Sequence, residues 1–178
     1  MAFLLCALGV VLVGIDQLTK YLATTFLKGN VAIALIPGVF ELQYATNKGA
    51  AFGILKNFRW VFMVFTVLII GVMLYVLLCG HFKRYRWIQF SAVLVIAGGI
   101  GNLIDRILFG YVVDFLYVKA INFPIFNFAD CCIVVGSIIL LICFLFFYKP
   151  EEDKRGEDGL NHGDQNVDTD SLSGGGEN

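Results

Sequence analysis

From Arg59 to Leu78 the chain is apolar almost without interruption, over a length that suits one crossing of a bilayer. A helix crosses the hydrocarbon core in roughly 20 apolar residues, and it can do so because it satisfies its own backbone polar groups. Three further runs have the same character: Met1 to about Leu27, Trp87 to Phe109, and a last one from near Phe128 to about Tyr148. With 58% hydrophobic and only 15% charged residues, the 178 residues have room for four spans and short connections, but not for a second folded domain. A cleaved signal peptide would carry a basic start and a small-residue cleavage site. The first run has neither, so it is expected to stay as span one.

Charge divides the chain at Pro150. Up to that point there are eleven Lys and Arg against five Asp and Glu; from Glu151 to Asn178 there are two against nine. Residues 1–150 are therefore expected to form the membrane domain, and residues 151–178 a disordered acidic tail too poor in apolar residues to build a core. Lys83, Arg84 and Arg86 crowd one short connection, the kind of basic loop retained in the cytoplasm. With Lys149, Lys154 and Arg155 that side holds six cations, against five on the other: Lys28, Lys48, Lys56, Arg59 and Lys119. The density of the short loop places both termini inside and the two longer loops outside. Cys6, Cys79, Cys131, Cys132 and Cys143 fall in or beside apolar runs with no metal-type spacing, and read as small packing residues. His81 and His162 are poorly placed to activate a thiol. No repeat, phosphate-cradling loop, zinc spacing or nucleic-acid patch is present, so no cofactor, metal or nucleic-acid partner is expected.

Between Lys28 and Phe58 hydrophobicity falls, Val39 to Tyr44 alternates, and Pro37-Gly38 supplies a turn, which predicts a small extramembrane sheet. Asn47-Lys48-Gly49-Ala50-Ala51-Phe52-Gly53 follows. It reads as a glycine-containing loop returning to the bilayer, and its small residues and the Asn47 amide also suit gripping an extended peptide. In span one, Asp16 and Lys20 are four apart on one helical face, with the acid on the N-terminal side as an ion pair prefers. Such a pair can snorkel at the interface or serve a site.

The central stretch runs from Gly98 to Asp130 and holds three of the five acids that precede the tail. Carboxylates at membrane depth cost several kcal/mol and are functional candidates by default. Gly98, Gly99 and Gly101 allow neighbouring helices to approach closely. Asn102, Asp105 and Arg106 share a helical face, and Arg106 is expected to satisfy Asp105 as a structural partner. Asp114, among apolar neighbours, is the better candidate for a perturbed pKa. Asn127 and Asp130 open the fourth span, where Asp130 suits a helix N-terminus. Asp114 and Asp130 lie on the same side, at the ends of spans joined by one loop, so they can meet as a catalytic pair. Separate caps and a polar packing cluster stand as alternatives at this point. So do two other functions: an ion- or proton-coupled carrier relaying charge through its acids, and a non-enzymatic scaffold.

Four blocks in order carry a resemblance. Asp16-Gln17-Leu18-Thr19-Lys20, Asn47 to Gly53, Gly101-Asn102-Leu103-Ile104-Asp105-Arg106 with Val113-Asp114-Phe115, and Phe126-Asn127-Phe128-Ala129-Asp130 resemble the bacterial lipoprotein signal peptidases, signal peptidase II. The resemblance implies an all-α polytopic membrane protein with four transmembrane helices and a small extracytoplasmic β-cradle between helices 1 and 2. It implies an aspartyl endopeptidase of the bacterial inner membrane, with Asp114 and Asp130 as catalytic dyad. Asn47, Gly49, Asn102, Asp105, Arg106 and Asn127 would bind substrate or shape the site, and Asp16 and Lys20 would be structural. Its partners would be membrane lipid and lipid-modified prolipoprotein signal peptides, cut before the diacylglyceryl cysteine, with globomycin-type cyclic peptides as inhibitors and a monomeric state.

Overall fold

The structure, a computed structural model, describes residues 2–49, 59–78, 82 and 85–147. The Ala50 to Gly53 part of the glycine loop, Lys83 and Arg84 of the basic connection, Cys79, and the tail 151–178 lie outside the described residues.

Among the described residues, four helices are long and apolar enough to cross a membrane: α1 (Ala2–Leu27), α2 (Arg59–Leu78), α3 (Arg86–Leu108) and α4 (Phe128–Ile142), the last continued by a π-helical turn at Cys143–Phe147. α3 is the hub, packing against each of the other three, and it is the one whose residues are mostly buried. Its glycines explain how. Helical residues step by about 100°, so Gly98, Gly99 and Gly101 face three directions. A Cβ on Gly98 would strike the Ala129 carbonyl and Ile133 of α4; on Gly99 it would press on Ile70 and Thr66 of α2; on Gly101 it would strike the Asp16 carboxylate of α1. The outer faces of the other helices, such as Trp60, Val64, Phe65 and Leu68 on α2, remain exposed and apolar, as lipid contact requires.

A three-stranded antiparallel sheet caps one end of the bundle, in the order β1 (Ile33–Ile36), β2 (Phe40–Asn47), β3 (Val112–Val118). The β1–β2 turn has Pro37 second and Gly38 third, with Gly38 at φ 74° and Val39 N–H donating to the Ile36 carbonyl at 2.9 Å; the positive φ is why glycine stands there. The sequence predicts strands only between α1 and α2. The third, between α3 and α4, carries Asp114. Its first four residues are buried, so it shows no alternation to read. Val113 and Phe115 pack with Ala23 and Leu27, with Leu42 and Tyr44 against them, and this core seats the sheet on the end of α1. A second core of Val76, Ile88, Ala92 and Cys143 closes the opposite end.

Candidate active site

Two pieces of backbone pairing bring Asp114 and Asp130 together. On one edge β3 pairs with β2, setting Ala45 opposite Asp114 and Asn47 opposite Val112. On its other edge it pairs with Phe126, whose N–H donates to the Leu116 carbonyl at 3.0 Å and whose carbonyl accepts from Leu116 N–H at 2.8 Å. Phe126 immediately precedes Asn127, so this short bridge delivers the start of α4 to Asp114.

Asn127 is the N-cap of α4 and forms a capping box with Asp130. Its Oδ1 accepts from Asp130 N–H at 3.0 Å, and Asp130 Oδ2 accepts from Asn127 N–H at 3.1 Å. Its Nδ2 donates to Asp114 Oδ1 at 2.6 Å and to Asn102 Oδ1 at 3.1 Å. Asn102 in turn donates from Nδ2 to Asp130 Oδ1 at 2.8 Å. The two carboxylates are thus tied to one pair of amides. Asp114 is buried and Asp130 half-buried, so the site opens at Asp130. Burial, followed by the charge of Asp130, pushes the Asp114 carboxyl up to about 6, with contacts from Asn127 and Asn47 acting in the opposite direction. The Asn47 Oδ1 accepts from Gly49 N–H at 3.1 Å, which turns the chain beside the site and orients the amide.

Beneath the amides lies a buried charge cluster. Lys20 Nζ is 2.9 Å from Asp16 Oδ2, the pair that the spacing predicts, and 3.4 Å from Asp105 Oδ2. It also donates to Asn102 Oδ1 at 3.0 Å. Lys20, Asp16 and Asp105 are all nearly inaccessible, so the pair does not snorkel. Each carboxylate grips a main-chain N–H beside one of the paired acids. Asp105 Oδ2 accepts from Val113 N–H at 3.0 Å, next to Asp114; Asp16 Oδ1 accepts from Ala129 N–H at 3.0 Å, next to Asp130. The expectation that Arg106 would satisfy Asp105 does not hold. Adjacent helical residues do not face each other, and Asp105 ion-pairs with Lys20. Arg106 donates from Nη1 to the Asn102 carbonyl at 3.1 Å, lies over the Phe62 ring with 5.9 Å to its centroid, and remains within electrostatic range of Asp130, Asp114 and, more weakly, Asp105.

Gln17 joins this cluster without having been singled out from the sequence. Its Nε2 donates to Asp16 Oδ2 at 3.1 Å, to Asp105 Oδ1 at 3.2 Å and to the Gly101 carbonyl at 3.1 Å. The available signal was an amide beside an acid in an otherwise apolar helix. Among the described residues no group of His, Cys, Asp and Glu side chains has the disposition of a metal site. Cys132 and Cys143 are buried in packing, whereas Cys6 lies exposed on α1.

The fold and site together define a polytopic membrane protein with a paired-carboxylate site at one end of its bundle. The chain belongs to the signal peptidase II family, whose model, described as signal peptidase (SPase) II, matches residues 8–146. It is 44% identical over 131 residues to a lipoprotein signal peptidase of Streptococcus thermophilus, covering 74% of this chain and 85% of that one. A lipoprotein signal peptidase of Streptococcus pyogenes serotype M1 is 42% identical over 134 residues, covering 75% and 88%. A solved bacterial membrane enzyme, determined by the in meso method at 2.3 Å, superposes with a TM-score of 0.73 at 31% identity, covering 92% of this chain and 94% of that one. A second, at 1.9 Å, gives 0.73 at 33% identity, covering 81% and 94%.

Proposed function

We propose that the protein is a lipoprotein signal peptidase acting as an aspartic endopeptidase, with Asp114 and Asp130 as a water-activating dyad. The observation that carries this reading is the attachment of both carboxylates to the Asn102–Asn127 pair, with Asp130 only half-buried. Two acids in such proximity share a proton and titrate as a unit. The ionised member takes a proton from water as its oxygen attacks the scissile carbonyl carbon. The protonated member hydrogen-bonds the carbonyl oxygen and gives up its proton as the tetrahedral diol forms. Collapse breaks the C–N bond, the amine leaves protonated, and the dyad returns to one proton. Burial and the charge of Asp130 raise the Asp114 carboxyl to about 6, as expected where two neighbouring acids resist ionising together.

The substrate is a prolipoprotein whose cysteine already carries diacylglycerol, cut immediately before that cysteine. A site at the end of the bundle lets the lipid chains stay in the bilayer while the peptide enters from the side. Asn47, Gly49 and Arg106 flank the dyad and offer amide and guanidinium donors to an extended backbone. Globomycin-type cyclic peptides would compete for the same face. The location is the bacterial inner membrane, with both termini cytoplasmic, the sheet and the site on the outer side, and the monomer as the working unit. The test is cleavage of a diacylglyceryl prolipoprotein alongside its unmodified form. Release of the signal peptide from the lipidated form alone supports the proposal; equal cutting of both removes the lipid requirement.

A further inference from the structure

From Val31 to Phe40 the chain reads VAIALIPGVF, ten residues without a charged side chain. They form β1 and its turn into β2, and every residue of β1 is exposed although side chains point alternately to its two faces. Val31 is 89% accessible, Leu35 53% and Ile36 54%. Ala120 N–H donates to the Val39 carbonyl at 3.3 Å, which sets the turn at Lys119–Ile121 against this tip and adds Ile121, 71% accessible. An apolar tip of this kind is costly in water.

Two observations say what covers it. First, the hairpin follows closely on a helix whose end is apolar and exposed: Tyr21, Leu22 and Phe26 lie open on the last turns of α1, α1 ends at Leu27, and β1 begins six residues later. Second, the exposed charges in the connections that carry the sheet have one sign. In the described parts of the two connections that carry the sheet, the charged residues are Lys28, Glu41, Lys48, Asp114 and Lys119. Both acids are buried while the three lysines are exposed, and Glu41 is held by Lys119 at 2.7 Å. Apolar residues flanked by lysines match the interfacial layer of an anionic bilayer, with acyl chains beneath and phosphate oxygens above.

We propose that the β1–β2 hairpin is a membrane-surface anchor, seated among the headgroups of anionic phospholipids in the leaflet that faces the sheet. It holds the sheet, and with it the β2 end that carries Asn47, at a fixed depth. The experiment uses the full chain with Trp60→Phe and Trp87→Phe, carrying Leu35→Trp or, as a second reporter, Val31→Trp. Each is reconstituted into phosphatidylcholine vesicles with and without phosphatidylglycerol. Lipids brominated high on the acyl chain should quench both reporters, more strongly with phosphatidylglycerol present, and acrylamide access should fall several-fold relative to free tryptophan. Full acrylamide access with no bromolipid quenching overturns the proposal. Shielding from both quenchers also overturns it, assigning the hairpin to a second copy or a protein partner. Equal quenching in the two vesicle types overturns the anionic preference.

Discussion

At the scale of single residues, the chemistry depends on which carboxylates react and which hold them. Asp114→Asn and Asp130→Asn should each lower the cleavage rate by at least about 100-fold, measured as signal-peptide release at matched folding. Asp114 also makes a signed prediction about stability. Its folded pKa of about 6 exceeds the ordinary 3.8, so between those values the unfolded chain loses its proton first. Folding therefore loses stability as pH rises through that window, and above about 6 the full cost, about 3 kcal/mol, applies. Asp114→Asn should melt higher than wild type at pH 8 and close to it at pH 4. Equal melting temperatures at both would mean the carboxylate is not strained by its surroundings. Lys20→Met should do the opposite, leaving Asp16 and Asp105 uncompensated at a cost of about 3 kcal/mol. Gln17→Leu removes two donations that fix those acids and a third to the Gly101 carbonyl, and it should lower kcat several-fold with little change in KM.

At the scale of elements, the decisive contacts are those α3 makes through its glycines. Gly98→Ala drives a Cβ into the Ala129 carbonyl, and Gly101→Ala drives one into Asp16. Either should cost about 1–3 kcal/mol and slow cleavage by moving Asp130 or Asp16. Gly14 and Gly71, which have open space around the position of a Cβ, are the controls: Ala there should be neutral or stabilising by up to about 1 kcal/mol. A thermal-shift series in detergent separates the two groups. The helices themselves were legible in the sequence, because a bilayer fixes the length of an apolar run. So was the Asp16–Lys20 pair, whose four-residue spacing is local. The third strand was not, because Val112 to Phe115 are all buried and period-2 alternation vanishes. The partner of Asp105 was misread for a related reason: Arg106 is adjacent in sequence, whereas Lys20 reaches it only through the packing of α1 on α3.

At the scale of the whole molecule, antiparallel helices place the ends of α1 and α3, the start of α4 and the whole sheet at one end, so that described residues from four separate motifs become one site. That Asp114 and Asp130 can meet there was legible from their position at the ends of spans joined by one loop; their attachment through Asn102 and Asn127 was not, since hydrogen-bond geometry leaves no periodic trace. The gathering at one end also distinguishes a peptidase from a charge relay, which needs acids spread through the bilayer depth. All of the site residues precede Pro150, so truncation after it should leave cleavage unchanged in a reconstituted assay. The most direct measurement is cleavage of a diacylglyceryl-modified prolipoprotein by the purified chain, compared with its Asp114→Asn and Asp130→Asn variants at matched folding. The account predicts signal-peptide release by the wild type and its loss in both variants. Wild-type cleavage by either variant, or none by the wild type, would contradict it.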